Sequence, residues 1–298
     1  MSWDIDKALV QAYRANIELQ FQQKGSRLRP HVRVESQNAE FEFYDRIGPV
    51  NAVEVTTRHG DTPLIPTPHD RRRVALRDFD WADLIDKKDK LRMLADPTSA
   101  YTQNAVMALG RKMDDVLIEA AFGTAYTGKT GATSVTFASA SEIAVNYVES
   151  GAAASSNLTV GKLRRARYLF GKEEVIGDDQ ADLTLVIDPS QLQAMLQVTE
   201  VTSADYNTVK ALVNGEIDTW MGFKWVVSNR LPATATTGGI RSCLCFERQG
   251  LLLAVADDVT VDVGVRRDKR NSAQVYVCGS FGGSRMWEEK VLRIKCQE

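Results

Sequence analysis

The chain predicts a mixed α+β fold, and three observations carry that prediction. Thr98 to Phe122 keeps a helical apolar period without interruption. Short runs such as LTLVI, FKWVV and VLRIKC carry the β-branched, turn-bounded pattern of strands. Helix and strand patterns alternate only between about 160 and 254, so the middle of the chain forms its own unit.

Composition narrows the class. The 298 residues can bury a sizeable core, as one large domain or two modest ones. Charged residues make up 26% and apolar residues 44%, ordinary for a globular protein. With 37 basic and 39 acidic residues the net charge is −2, which excludes a globally basic nucleic-acid coat but not local basic segments. No apolar run has the length of a membrane span, and MSWDIDKALV lacks the pattern of a signal peptide, so a cytoplasmic setting is expected. Cys243, Cys245, Cys278 and Cys296 include no C-x-x-C pair, and only three histidines accompany them. Buried free thiols in strands are expected rather than a zinc site. The sequon Asn157-Leu158-Thr159 has no meaning without secretion.

Taken in order, residues 3–24 show a helical spacing of Ile5, Leu9, Tyr13 and Ile17, closed by Gly25. A basic stretch follows, with Lys24, Arg27, Arg29, His31 and Arg33 and no acid among them. It is suited to phosphates or to an acidic neighbouring subunit, or equally to a solvated connector. Residues 37–45 alternate loosely, as a short strand. Residues 46–86 read as a projecting hairpin, with Val53, Val55 and Thr57 going out and Val74 and Leu76 coming back. Its tip carries Pro63, Pro66 and Pro68 and cannot join a sheet interior. A two-stranded ribbon is marginal alone, so it gains order from lying on something else, most simply another copy of the chain. Residues 81–95 read as a short amphipathic helix.

In the long stretch Val106, Leu109, Met113, Val116 and Ala120 form one stripe, which Leu117 and Ala121 widen. Arg111 and Asp115 stand one turn apart and can pair. Asp96-Pro97-Thr98-Ser99 offers a start and Gly123 a left-handed stop, giving a helix of about 37 Å. A Gly/Thr/Ser-rich hairpin follows. VGKLRRARYLFGKEE then reads as a helix, LTLVIDP as a buried strand ended by Pro189, and SQLQAMLQV as a helix capped by Ser190. Residues 206–217 give a weaker helical signal. FKWVVSN, RSCLCFE, LLLAVADDVTVDVGV, AQVYVCGSFGG and VLRIKC are strands, the last of which return to the long helix.

Residues 123–130 match G-x-x-x-x-G-K-[ST] through Gly123, Gly128, Lys129 and Thr130. A phosphate loop needs a strand before it and a helix N-terminus after it, whose dipole meets the anion. Here a helix precedes the motif and the strand-like TSVTF follows it, so the match is a decoy and the loop a turn. His59 and His69 lie near Asp61 and Asp70 in a wet, proline-rich tip, a poor place to tune a pKa. Asp178-Asp179 and Asp257-Asp258 read as solvated turn carboxylates. No G-x-S-x-G elbow or H-E-x-x-H is present, so no catalytic residue, metal or cofactor is assigned and no enzyme is expected.

The order of parts resembles the major capsid proteins of tailed bacteriophages of the Hong Kong 97 type over nearly the whole chain. The stretches that carry the resemblance are DPTSAYTQNAVMALGRKMDDVLIEAAFG, YNTVKALVNGEIDTWMGFKWVVSNRLP and AQVYVCGSFGGSRMWEEKVLRIKC. In the second, Gly215, Met221, Gly222, Phe223, Ser228, Asn229 and Arg230 stand where many relatives carry similar residues. The resemblance implies an N-terminal arm (1–45), an extended loop (46–86) and a peripheral domain (87–159) with the spine helix 98–122. It further implies an axial α/β domain (160–254) and C-terminal strands returning to the peripheral domain (255–298). It implies a virion shell subunit, assembled in the host cytoplasm as hexamers and pentamers around double-stranded DNA. A separate scaffolding protein, a portal and a decoration protein are implied partners, and no membrane is. A non-viral nanocompartment shell of the same fold is one alternative, and a P-loop nucleotide hydrolase through residues 123–130 is the other. On this reading Arg27, Arg29, Arg33, Glu54, Asp61, Arg71, Arg72 and Arg73 are expected at subunit interfaces. No matched lysine, asparagine and acidic helper for self-crosslinking can be placed.

Overall fold

The computed structural model describes residues 22–54, 56, 58, 60–62, 64–86, 98–149, 151–176, 182–197, 219–234 and 239–298. The expected helix over 3–24 lies outside the described residues as far as residue 21, and Gln22–Lys24 are not helical. The signal at 206–217, Asp178, Asp179, His59 and the start Asp96-Pro97 also lie outside them.

The strands in chain order are β1 (Arg33–Ser36), β2 (Phe41–Ile47), β3 (His69–Ala75), β4 (Arg77–Ile85), β5 (Ala125–Thr127), β6 (Thr133–Val135) and β7 (Glu142–Ile143). They continue as β8 (Leu183–Ile187), β9 (Thr219–Trp220), β10 (Phe223–Val227), β11 (Ile240–Glu247), β12 (Leu251–Arg266), β13 (Ser272–Arg285) and β14 (Val291–Gln297). The helices are α1 (Thr98–Phe122), α2 (Val160–Lys172) and α3 (Pro189–Leu196). Two compact units emerge: residues 1–26, 78–112 and 257–280, and residues 27–77, 113–256 and 281–298.

In the first unit, β4 lies beside β13, which lies beside β12. Phe79, Trp81 and Ile85 of β4 alternate with exposed Asp78, Asp80 and Leu84, so one face packs with Val259, Val275 and Val277 against Ala105, Val106 and Leu109 of α1. The period of two in D-F-D-W therefore prevails over the helical reading of 81–95: residues 81–85 are strand, and 87–95 lie outside the described residues. Asp257 and Asp258 likewise lie within β12 rather than at a turn.

In the second unit a six-stranded sheet runs β7-β14-β11-β8-β10-β9. β8 is buried throughout and pairs parallel to β10, Leu183 against Phe223 and Ile187 against Val227. Cys243, Cys245 and Cys296 are buried free thiols in this sheet. α2 buries Leu163, Ala166 and Phe170 and is capped by the Thr159 hydroxyl, which accepts from the Lys162 N–H. The Lys162 ammonium is fully buried and donates to the carbonyls of Val145, Ser156, Asn157 and Lys295 at 2.7–3.1 Å, while burial lowers its pKa. α3 starts one step earlier than expected. Pro189 takes its first turn, and Asp188 rather than Ser190 is the cap, its backbone N–H returned to the Gln191 side chain in a capping box.

α1 has the predicted bounds, but its stop works differently. Gly123 has no positive φ; its N–H bonds to the Glu119 carbonyl at 2.7 Å, and a Cβ there would stand 2.6 Å from that oxygen. Asp115 pairs with Arg230 in a bidentate bridge instead of with Arg111, which donates to Gln22.

Two extensions differ from expectation. Residues 27–37 pack on their own unit: Leu28 and Val32 are buried, and β1 pairs parallel to β12. The backbone N–H groups of Arg27 and Leu28 both donate to the buried Asp114 carboxylate at 3.1 Å. The hairpin strands are β2 and β3, Phe41 opposite Ala75 and Ile47 opposite His69: Val74 lies in β3, whereas Val53 is in no strand and Val55 and Thr57 lie outside the described residues. The ladder closes with the Gly48 N–H on the Pro68 carbonyl at 3.0 Å, and no strand occurs among the described residues of 49–67. Pro66 and Pro68 supply no N–H there, so alternation alone could not make a ladder.

Candidate assembly surface

The site is built on the sheet β2-β3-β5-β6 of the second unit. Strand alternation divides the triplet Arg71-Arg72-Arg73 between two faces. Arg71 and Arg73 share one face with Phe41, Phe43, Asp45 and Tyr126, while Arg72 shares the other with Tyr44, Arg46, Asp70 and Val74.

The inward face is buried and densely paired, although one Arg72 terminal nitrogen and the Tyr44 hydroxyl have no hydrogen-bond partner among the described residues. Arg72 is fully buried, pairs with Glu288 at 2.5 Å and reaches the Met286 carbonyl at 3.4 Å. Burial lowers its pKa, and Glu288 opposes that shift. Arg46 donates to Asp70 at 2.6 Å and to the Met286 carbonyl at 2.6 Å, with its guanidinium over the Trp287 ring. Arg285, also fully buried, donates to the carbonyls of Ala121 and Gly123 and lies 3.5 Å from Glu288. Arg293 donates to the Phe122 carbonyl over the Phe122 and Phe137 rings. Two cations thus meet the carbonyls that the end of α1 leaves without helical partners, where the helix dipole is negative. Asp70 is desolvated, which raises its pKa, but bonds from Thr127, Arg46 and the Arg71 N–H hold it well below the usual carboxylate range.

The outward face is open. Arg71 pairs with Asp45 at 3.2 Å over the Phe43 ring. The Arg73 guanidinium lies 5.0 Å from the Phe41 ring and 4.8 Å from the Tyr126 ring. Beyond this sheet, the loop 48–68 carries Val50 (54% exposed), Val53 (59%) and Leu64 (96%), with Glu54 and Asp61 exposed beside them.

The expected interface residues therefore separate. Glu54 and Asp61 are exposed and Arg71 and Arg73 half-buried, while Arg72 is fully buried and its charge is neutralised inside the chain by Glu288. Arg27 donates to the Val227 carbonyl, Arg33 pairs with Glu35 at 2.8 Å, and Arg29 is half-buried. Sequence reasoning missed Glu288, Asp114 and Lys162, none of which stands in a motif; only burial reveals them. In the stretch 221–230, Met221 and Gly222 form a positive-φ turn, and the Met221 carbonyl accepts from Arg167 at 2.5 Å. Ser228 is buried, with its N–H on the Ile187 carbonyl at 2.8 Å. These residues hold the sheet rather than a ligand.

The phosphate-loop match is a hairpin. Gly123 ends α1, β5 and β6 flank the turn 128–131, and the Gly131 N–H donates to the Gly128 carbonyl at 3.1 Å. No helix N-terminus follows Lys129, so no helix dipole is there to meet an anion.

A family model described as "Phage capsid protein" matches residues 5–298. No curated protein matches the chain. Among solved structures, the chain is similar to the capsid of cyanophage P-SCSP1u at 16% identity and a TM-score of 0.73, covering 97% of this chain and 94% of that one. A chain from Mycobacterium phage Che8 gives 15% and 0.67, covering 96% and 97%. The capsid of Helicobacter pylori bacteriophage KHP30 gives 9% and 0.71, covering 100% and 98%. Likeness at such identities establishes the shared Hong Kong 97-like capsid fold, and the family match over nearly the whole length establishes the rest: the chain belongs to the phage capsid protein family, as a structural major capsid protein of a virion.

Proposed function

We propose that the protein performs no catalysis and closes, through repeated contacts between copies, an icosahedral shell of hexamers and pentamers around double-stranded DNA. The observation that carries this reading is the loop 48–68, where Leu64 is 96% exposed and Val50 and Val53 are more than half exposed. Apolar side chains so presented gain by burial, at about 25 cal/mol per Å² removed from water. Many such contacts, each modest, sum over a symmetric assembly.

In this reading the division into arm (1–45), extended loop (46–86), peripheral domain (87–159), axial domain (160–254) and returning strands (255–298) describes roles in the shell. The loop laps a neighbouring copy. Scaffolding, portal and decoration proteins act on the shell from outside this chain, in the host cytoplasm. Replacing residues 50–66 by a short Gly/Ser linker keeps Gly48, Pro68 and Asp70 in place. The expected result is a folded subunit that forms no particles in electron microscopy or sedimentation; normal particles would overturn the proposal.

A further inference from the structure

Among the described residues, no hydrogen bond or ion pair reaches the Arg73 guanidinium, although it is held in place from three sides. Phe41 and Tyr126 provide its two rings. Gly131, at φ +65°, leaves room for the Arg73 stem, since a Cβ there would stand 2.6 Å from Arg73 Cδ and 3.0 Å from Phe43. The turn that resembles a phosphate loop thus backs an arginine. Arg73 borders a groove of about 200 Å³ whose lining includes Ala75, Ala120, Ala125, Gly123 and Gly283, small residues that admit an extended backbone. Arg77, on the same rim, is paired with Glu119 at 2.9 Å, which leaves Arg73 as the rim cation that can accept a carboxylate.

An aromatic-stacked guanidinium keeps its planar N–H fork pre-organised for a carboxylate, at low ordering cost. The loop 48–68 carries two exposed carboxylates, Glu54 and Asp61, with no cation bonded to either among the described residues. In its own chain the loop leaves at the Ile47–His69 end, four residues and about 13 Å along the strand from Arg73, and among the described residues neither carboxylate is bonded to that guanidinium. We propose that the groove beside Arg73 receives the loop 48–68 of a second copy of the chain, with Glu54 or Asp61 of that copy on the Arg73 guanidinium. The inference rests on the shell reading above and names the contact within it.

The test is a charge exchange read by concentration-dependent sedimentation and electron microscopy. Arg73→Glu is expected to raise the concentration needed for association about tenfold or more. Combining it with Glu54→Arg or Asp61→Arg restores association, and the arm that restores it identifies the carboxylate. Association of Arg73→Glu at the normal concentration, or its loss with no rescue by either exchange, would overturn the inference. Should Arg73→Glu fail to fold, subunits with Arg73→Cys are mixed with subunits carrying Glu54→Cys or Asp61→Cys and oxidised with diamide. A disulfide-linked dimer from one mixture supports the contact, and its absence from both overturns it. If the linker-replaced protein assembles normally, the shell role of the loop fails first. If that protein is blocked while neither exchange nor cross-link responds, this contact alone fails.

Discussion

Arg72 and Arg73 are chain neighbours with opposite fates. On the inward face of β3, Arg72 is fully buried and neutralised by Glu288, amid Arg46, Asp70 and Arg285. On the outward face Arg73 has two rings for company and no acceptor among the described residues. The same side chain serves the fold when its partners come from the same chain and stays available when they do not. The difference lies in strand parity and in nothing local to either residue.

The largest effect should come from breaking the buried side. Glu288→Ala leaves Arg72 buried without its counter-charge and should cost about 3–5 kcal/mol in urea unfolding. A loss below about 1 kcal/mol would mean that the carbonyls around Arg72 suffice. Next is Asp114→Ala, which leaves the N–H groups of Arg27 and Leu28 without their acceptor and should cost about 1–3 kcal/mol. Faster hydrogen exchange at Leu28 would localise that effect to the segment 27–37.

The smallest effect sharpens the comparison through pH. Because Asp70 titrates well below an unfolded carboxylate, its contribution to stability is complete above about pH 4 and is lost as pH falls toward its folded value. Asp70→Asn should therefore flatten the fall in Tm below pH 4, and an unchanged slope would remove Asp70 from the account.

Much of this architecture was legible from the residues. α1 could be read to its ends because the capping start at Asp96–Ser99 and Gly123 bracket one apolar stripe, and β8 because LTLVI is apolar but for Thr184 before Asp188-Pro189. The β4 error arose where nine residues carry both periods: Asp-Phe-Asp-Trp alternates, while Trp81, Leu84 and Ile85 also fit a helix, and only pairing with β13 decides. The arginine triplet could be recognised as basic but not sorted, because parity means nothing until the register of β2 against β3 is fixed. Glu288 lies 216 residues from Arg72, and no spacing rule connects them. What fastens the segment after Gly25 was hidden for a similar reason: the carboxylate that holds Leu28 lies 86 positions away, on α1.

The neck at Gly48 and Pro68 has a consequence for how such subunits diversify. Since the ladder is complete below it, residues can be inserted or removed between the two without disturbing a single strand pair. Each added residue extends the span by up to about 3.3 Å. If the loop laps a second copy as proposed, the reach of that contact is adjustable in the genome by small insertions alone, while the body that holds the neck stays the same.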